Sequence, residues 1–332
     1  MPKQPKQRKT FFKGYQRDMK KPLVKKEIGP MSASVLAYDE QVEPARARWS
    51  DYIELTKPRI SIMVMVSVAI TAFVARHGQP DFLKIVHALV GTLLTAGSAS
   101  AMNQWMERDL DGRMLRTKSR PIPAGRISSQ QVVVLVTVSL VFGAGYLAVM
   151  VNALTAVLSI ATWIIYVAFY TPMKTKTPMN TAVGAVAGAL PILMGWAAVD
   201  GSWTDARWAA LFLVMFFWQF PHFMAIAYLY REQYSEAGMK MWTVVDPSQR
   251  RSGIEAVIGA LAVLPVSLAA VGAMPRSDVQ LMIVFGLGVF QLACAIRYCI
   301  NANETTARKL LRASLIYLPL VLFTLLSAPM TG

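Results

Sequence analysis

The stretch VVVLVTVSLVFGAGYLAVMV, Val132 to Val151, runs twenty residues without a charged side chain. A helix rising 1.5 Å per residue needs about twenty apolar residues to cross roughly 30 Å of hydrocarbon, so this stretch is predicted to span a membrane. Working outward, apolar runs of similar length recur at Pro58 to Ala75, Ile85 to Met106, Leu154 to Tyr170, Ala182 to Val199, Trp208 to Tyr230, Ile254 to Met274, Val279 to Ile296 and Ala313 to Leu326. Only Asn152 and Ala153 separate the third run from the fourth, and fusing the two would put every later loop on the wrong side. The whole chain agrees with this pattern. It has 332 residues, 55% hydrophobic and 16% charged, with a mean hydropathy of +0.41, whereas soluble domains carry about 25% charged residues. The predicted class is an all-α, polytopic membrane protein with nine transmembrane helices.

The net charge of +15 would suit nucleic acid only if it formed one stripe on a folded face. The basic residues sit instead in loops between apolar runs. With the N-terminus inside, the inner loops collect most of them and the outer side receives only Arg76, Lys84, Arg207 and Arg276. That alternation is the positive-inside rule applied to nine spans, and it argues against a nucleic-acid partner. Residues 1–50 form a basic tail with Lys3, Lys6, Arg8, Lys9, Lys13 and Arg17 ahead of the first acid, Asp18. The tail reads either as a mitochondrial transit segment or as a disordered inner-side tail. Residues 51–332 are assigned to the membrane domain. Cys294 and Cys299, the only cysteines, lack metal-ligand spacing and are expected to pack as ordinary apolar residues.

Acidic groups at the edge of a membrane helix are costly and therefore point to function. Asn103, Glu107 and Asp111 stand at i, i+4 and i+8 at the end of the second run, which puts three oxygen donors on one helical face with Asp109 to the side. Mg²⁺ is commonly held by one or two carboxylates together with substrate phosphates. Arg113, Arg116, Lys118 and Arg120 follow at once, and acids for a metal beside bases for an anion suit a diphosphate leaving group. The alternative is a basic loop that obeys the inside rule and makes salt bridges to the acids.

The run from Asn103 to Asp111, with Arg113-Met-Leu-Arg116-Thr117, resembles the first aspartate-rich motif of the UbiA-type intramembrane prenyltransferases. Its continuation to Arg120-Pro121 is similar to the protohaem IX farnesyltransferase (haem O synthase) branch, and to that branch's mitochondrial members. Tyr170-Thr-Pro-Met-Lys174, the run from Gly184 to Trp196, and Trp218-Gln-Phe-Pro-His222-Phe add to the resemblance, which covers roughly Asp51 to the C-terminus. It implies a nine-helix bundle around a central cavity opening laterally to lipid, closed at the inner face by loops carrying two acidic motifs. It further implies Mg²⁺ as cofactor, with farnesyl diphosphate and protohaem IX as substrates in a lipid bilayer. Asn103, Glu107, Asp111 and Glu232 would hold metal and serve catalysis; Arg113, Arg116, Lys118, Arg120 and Lys174 would bind diphosphate. The product would feed haem a formation for terminal oxidases, in association with a downstream haem a synthase, in the mitochondrial inner membrane with the N-terminus in the matrix.

One departure stands out. Where the family carries an acidic pair before a tyrosine, this chain has Arg231-Glu232-Gln233-Tyr234, so a second metal would rest on Glu232 alone. His222, in the sixth run beside Pro221, is the candidate for contacting haem, since haem iron often takes an axial histidine; the competing reading is a hydrogen bond to carbonyls freed by Pro221. His77 and His87 are expected at the outer interface. Two rival functions remain at this point, a prenyltransferase acting on an aromatic or tetrapyrrole acid and a non-catalytic haem carrier. A carrier would need a charged pathway deep in the bundle, and the acids instead cluster at one face.

Overall fold

In the computed structural model, the residues described are 47–77, 79–273 and 277–327. The basic stretch at 1–46 and Arg276, on which part of the charge pattern rests, lie outside them. Among the described residues, nine helices are long and apolar enough to cross a membrane: α1 Pro58–Ala75, α2 Phe82–Met106, α3 Ser129–Met150, α4 Ala153–Met173, α5 Asn180–Ala198, α6 Arg207–Leu229, α7 Arg250–Gly272, α8 Asp278–Ile300 and α9 Glu304–Leu326. Short helices at Trp49–Leu55, Arg108–Asp111, Arg231–Glu236 and Trp242–Val245 precede or follow spans at one end of the bundle. The spans pack α1 against α2 and α5, α2 against α3, and α6 against α5, α7 and α9. Side chains such as Val149, Met282 and Phe142 stay 83%, 72% and 69% exposed, as apolar groups facing lipid should.

The break between α3 and α4 is a cap. Asn152 Oδ1 accepts from the Thr155 amide at 2.8 Å, and Val151 leaves helical geometry at φ −122°, ψ −85°, so two antiparallel spans replace one long helix. The largest departure from the sequence boundaries is α9, which starts at Glu304 rather than near Ala313. Asn303 caps it by accepting from Thr306 N at 3.0 Å, and its first turns carry Arg308, Lys309 and Arg312. Apolar length marks the part of a helix in hydrocarbon, and the helix itself runs on into water. The end of α4 also departs, since Ile165–Tyr170 winds as a π-helix ahead of Thr171-Pro172. Proline cannot donate to the α ladder, and a widened turn absorbs that loss.

Small residues set the closest approaches. A Cβ at Gly195 would collide with the backbone carbonyl of Val68 on α1, and one at Gly184 with the Tyr170 ring. The dense small-residue run in α5 therefore lets two backbones meet, as expected for close packing. Because a helical carbonyl cannot swing aside, Gly195→Ala is expected to destabilise the bundle by about 1–3 kcal/mol. A thermal melt in detergent would show this, and a variant melting with the wild type would refute the claimed contact.

Candidate active site

The last turns of α2 are the frame of the site. Glu107 caps α2 and starts the Arg108–Asp111 helix, with the Asp111 amide donating to the Glu107 carbonyl at 2.7 Å. Glu107 leaves helical dihedrals at φ −93°, ψ 4°, yet the i to i+4 bonds run on across it, Glu107 N to the Asn103 carbonyl and Asp111 N to the Glu107 carbonyl, which keeps Asn103, Glu107 and Asp111 on one side. They are 0%, 5% and 1% exposed. Each oxygen meets a cation from a different segment. Lys57 Nζ donates to Asn103 Oδ1 at 2.6 Å, Lys174 Nζ lies 2.7 Å from Glu107 Oε1, and Arg120 Nη1 donates to Asp111 Oδ2 at 2.6 Å. The π-turn adds a wall: Asn103 Nδ2 donates to Thr171 Oγ1 at 3.0 Å, and that hydroxyl donates to the Tyr166 carbonyl at 2.8 Å. The Lys174 ammonium sits 4.6 Å from the centre of the Tyr170 ring.

The charges do not balance. Two carboxylates face three cations, all drawn from water into one pocket. Burial first, then the neighbouring Lys174, brings the Lys57 ammonium down to about 7. Glu107 works against its own burial: Lys174 and Lys57 hold its carboxyl below the usual range. Asp111 goes the other way, because burial outweighs Arg120 and raises it. A buried cluster with more basic than acidic groups is suited to an anion.

The same residues fit a hard cation that arrives with such an anion. Glu107 Oε1 is buried and makes no directed hydrogen bond, so Lys174 balances its charge without saturating the oxygen. One amide oxygen and two carboxylates are oxygen donors of the kind Mg²⁺ selects. Among the described residues, no group of three or more His, Cys, Asp or Glu is gathered that could hold a metal unaided. Ligands from a bound diphosphate would therefore complete the shell.

The other sequence candidates divide. Arg116 is held over Tyr230, 4.3 Å from its centre, and near Tyr234 at 5.8 Å. Gln233, the residue that departs from the family pattern, faces this loop, its Oε1 accepting from the Arg116 amide at 3.4 Å. Glu232, one residue earlier and so about 100° round the helix, points to solvent with 84% of its side chain exposed and pairs with Arg231 at 3.3 Å. Arg113 and Lys118 are exposed on the loop surface. The structure does not bring these three to the acids. Asp109 is likewise exposed.

Lys57 was missed as a site residue. In sequence it is one more inner-side lysine, and its only local sign is the following proline. The loop carrying Arg120 is braced by another segment outside the motifs, the Trp49–Leu55 helix. Arg126 Nε donates to Asp51 Oδ1 at 2.8 Å, and its Nη1 donates to the Ser119 carbonyl at 3.0 Å.

A second feature opens beside the first. A cavity of about 390 Å³ lies between α1, α5, α6 and α9, with Arg59, Ser67, Met215, Trp218, Gln219 and His222 among its walls. Arg59, two residues from Lys57 in sequence, is on its wall, and Ile60, Met63, Val64 and Ser67 continue the lining along α1. Its lining is mainly apolar and aromatic. A Cβ at Gly188 would strike the Gln219 amide, so this glycine keeps Gln219 against α5. His77 and His87 lie near the ends of spans remote from the acidic cluster, His77 against Arg207 at 2.9 Å and His87 against Tyr146 at 2.6 Å.

Comparison with known proteins bears on both features. A family model described as the UbiA prenyltransferase family matches residues 63–320. The chain is 41% identical over 280 residues to protoheme IX farnesyltransferase of Rhodopirellula baltica, covering 82% of this chain and 98% of that one. It is 38% identical over 283 residues to the same-named protein of Solibacter usitatus, covering 82% and 96%. In fold it is similar to digeranylgeranylglyceryl phosphate synthase, with a TM-score of 0.69 at 14% identity over 85% of this chain and 98% of that one. It is also similar to a UbiA homolog from Archaeoglobus fulgidus bound to DMAPP and Mg²⁺, with a TM-score of 0.58 at 15% identity over 83% and 99%.

Proposed function

The chain belongs to the UbiA prenyltransferase family, and from that premise we propose that it transfers a farnesyl group from farnesyl diphosphate to a vinyl carbon of protohaem IX, making haem O. The observation that carries the mechanism is the buried row of Asn103, Glu107 and Asp111 met by Lys57, Lys174 and Arg120. The relatives' names favour haem over an aromatic acid as acceptor.

Diphosphate binds among the three cations, which shift from the carboxylates toward its oxygens. Glu107 and Asp111, with Asn103, would then hold Mg²⁺, whose chemistry there is neutralisation of charge developing on the leaving group. The C1–O bond breaks, its electron pair leaves with the diphosphate, and an allylic cation remains. The vinyl π electrons form the new bond to C1, the resulting cation takes up water, and a proton is lost. The protein positions the partners, and the apolar cavity keeps water from the first cation. Arg116 between its tyrosines would hold the inner loop over the diphosphate. Arg113, Lys118 and Glu232 would serve the anion or a second metal only after the loops move toward the acids.

We further place the chain in the mitochondrial inner membrane with its N-terminal side in the matrix, supplying a haem a synthase for cytochrome oxidase assembly. The basic residues ahead of Asp18 and the motif resemblance support this placement.

The test is purified full chain in lipid nanodiscs with farnesyl diphosphate, protohaem and Mg²⁺, analysed by mass. Farnesylated, hydrated haem is expected only when metal is present. Equal product in excess chelator would defeat the mechanism, and no product under any condition would defeat the assignment.

A further inference from the structure

The His222 ring is fixed by a stack and a hydrogen bond. Its plane stacks on Trp218, with centroids 4.7 Å apart and planes 21° from parallel. Trp218 Nε1 in turn donates to the Ser314 carbonyl on α9 at 2.7 Å. His222 Nδ1 lies 3.0 Å from Ser314 Oγ. That hydroxyl spends its own proton on the Leu311 carbonyl at 2.8 Å, so toward His222 it can only accept. Nδ1 therefore carries the ring proton, and Nε2 keeps its lone pair. Nε2 has no hydrogen-bond partner among the described residues, and the side chain lines the cavity that also has Arg59 on its wall.

A neutral imidazole with Nδ1–H donated to an oxygen and Nε2 bare is the arrangement found in histidine metal ligands, where the second bond sets tautomer and ring direction. We infer that His222 Nε2 is the axial ligand of the haem iron during turnover, and that Ser314 is a positioning residue which holds it in that tautomer. The inference rests on protohaem being the acceptor. It explains why a polar pair spans α6 and α9 in a wall that is mainly apolar. Gln219, Arg59 and Ser67, the other polar groups on the cavity wall, present an amide, a guanidinium and a hydroxyl, and none competes for iron.

The experiment titrates haem into full-length protein in nanodiscs and reads absorption, magnetic circular dichroism and, for ferrous haem, the resonance Raman iron–histidine stretch. The wild type is expected to show a single-histidine signature. His222→Gln, which keeps an N–H for Ser314, should lose that signature and bind haem at least about tenfold more weakly. His222→Ala should lose it too and regain it with added imidazole. Ser314→Ala should keep a ligated histidine with a lowered iron–histidine stretch and about tenfold weaker binding. A purely structural bridge predicts instead lower melting temperatures with unchanged spectra. Identical spectra in wild type and His222→Gln would overturn the inference, as would an unmoved stretch in Ser314→Ala. Wild type that makes farnesylated haem without a histidine signature sinks this inference alone; wild type that makes none sinks the acceptor assignment beneath it.

Discussion

Replacing Glu107 with glutamine is expected to lower farnesyl transfer by about a thousandfold while haem still binds with its wild-type spectrum. The rate loss follows from the site's role. A carboxylate that would share a metal with the leaving diphosphate acts only as charge develops, and removing one such electrostatic partner costs about 10² to 10³ in rate. Stability should fall as well, because the substitution leaves the Lys174 and Lys57 ammonium groups facing each other with Asp111 as the one remaining carboxylate. Breaking a buried pair by removing one partner costs about 3–5 kcal/mol. The two losses can be separated. Adding Lys174→Met to Glu107→Gln removes the orphaned charge, so the double variant should melt closer to wild type and remain as inactive as the single variant. Glu107→Asp should recover part of the rate. Turnover by product mass, with thermal melts in the same detergent, on wild type, Glu107→Gln, Lys174→Met and the double variant gives all four corners of the cycle. If Glu107→Gln turned over at even a tenth of the wild-type rate, Glu107 would be structural and the diphosphate site would have to lie elsewhere.

Much of this arrangement could be read from the order of residues, and the reason is periodicity. A span announces itself by length and apolarity alone, so all nine were legible, and Asn152 marked the one doubtful break. Asn103, Glu107 and Asp111 were legible because i, i+4 spacing survives wherever the i to i+4 hydrogen bonding survives, and it does so across the break at Glu107. What was hidden depends on tertiary contacts or on rotation by one residue. Glu232 and Gln233 are neighbours in sequence, yet the helix turns the glutamine toward Arg116 and the glutamate to solvent. Tyr166 and Thr171 reach the site through a π-turn, and no period of 3.6 would have aligned them with Lys174. His222 was singled out for its residue type, but the partner that settles its tautomer, Ser314, is 92 positions away. The two cysteines are free and partly buried. Lys57 is the clearest omission. It lies 46 positions from Asn103, outside every motif, and only the folded loop makes it part of the site.

Lys57 also carries the second large effect. Its backbone lies in the left-handed region, φ 49° and ψ 65°, where a residue with a Cβ is strained by about 1–2 kcal/mol. The following Pro58 bars the right-handed helical region to it, and its ammonium is buried beside two other cations. A sequence selected for stability would not keep such a lysine, so a functional reason is required, in line with strain concentrating at working sites. Lys57→Ala should reduce transfer by about a hundredfold, chiefly by raising KM for farnesyl diphosphate, since it removes one of the three positive charges that receive the anion. Its stability should change little, because the lost bond to Asn103 is offset by removal of a crowded charge. Lys57→Gly should be as inactive, yet about 1 kcal/mol more stable than Lys57→Ala, because glycine enters the left-handed region without the Cβ penalty. The pair isolates backbone from ammonium: activity should follow the ammonium and stability the backbone. Wild-type KM in either variant would remove Lys57 from the diphosphate site, and a glycine variant less stable than the alanine one would show that this turn carries no strain.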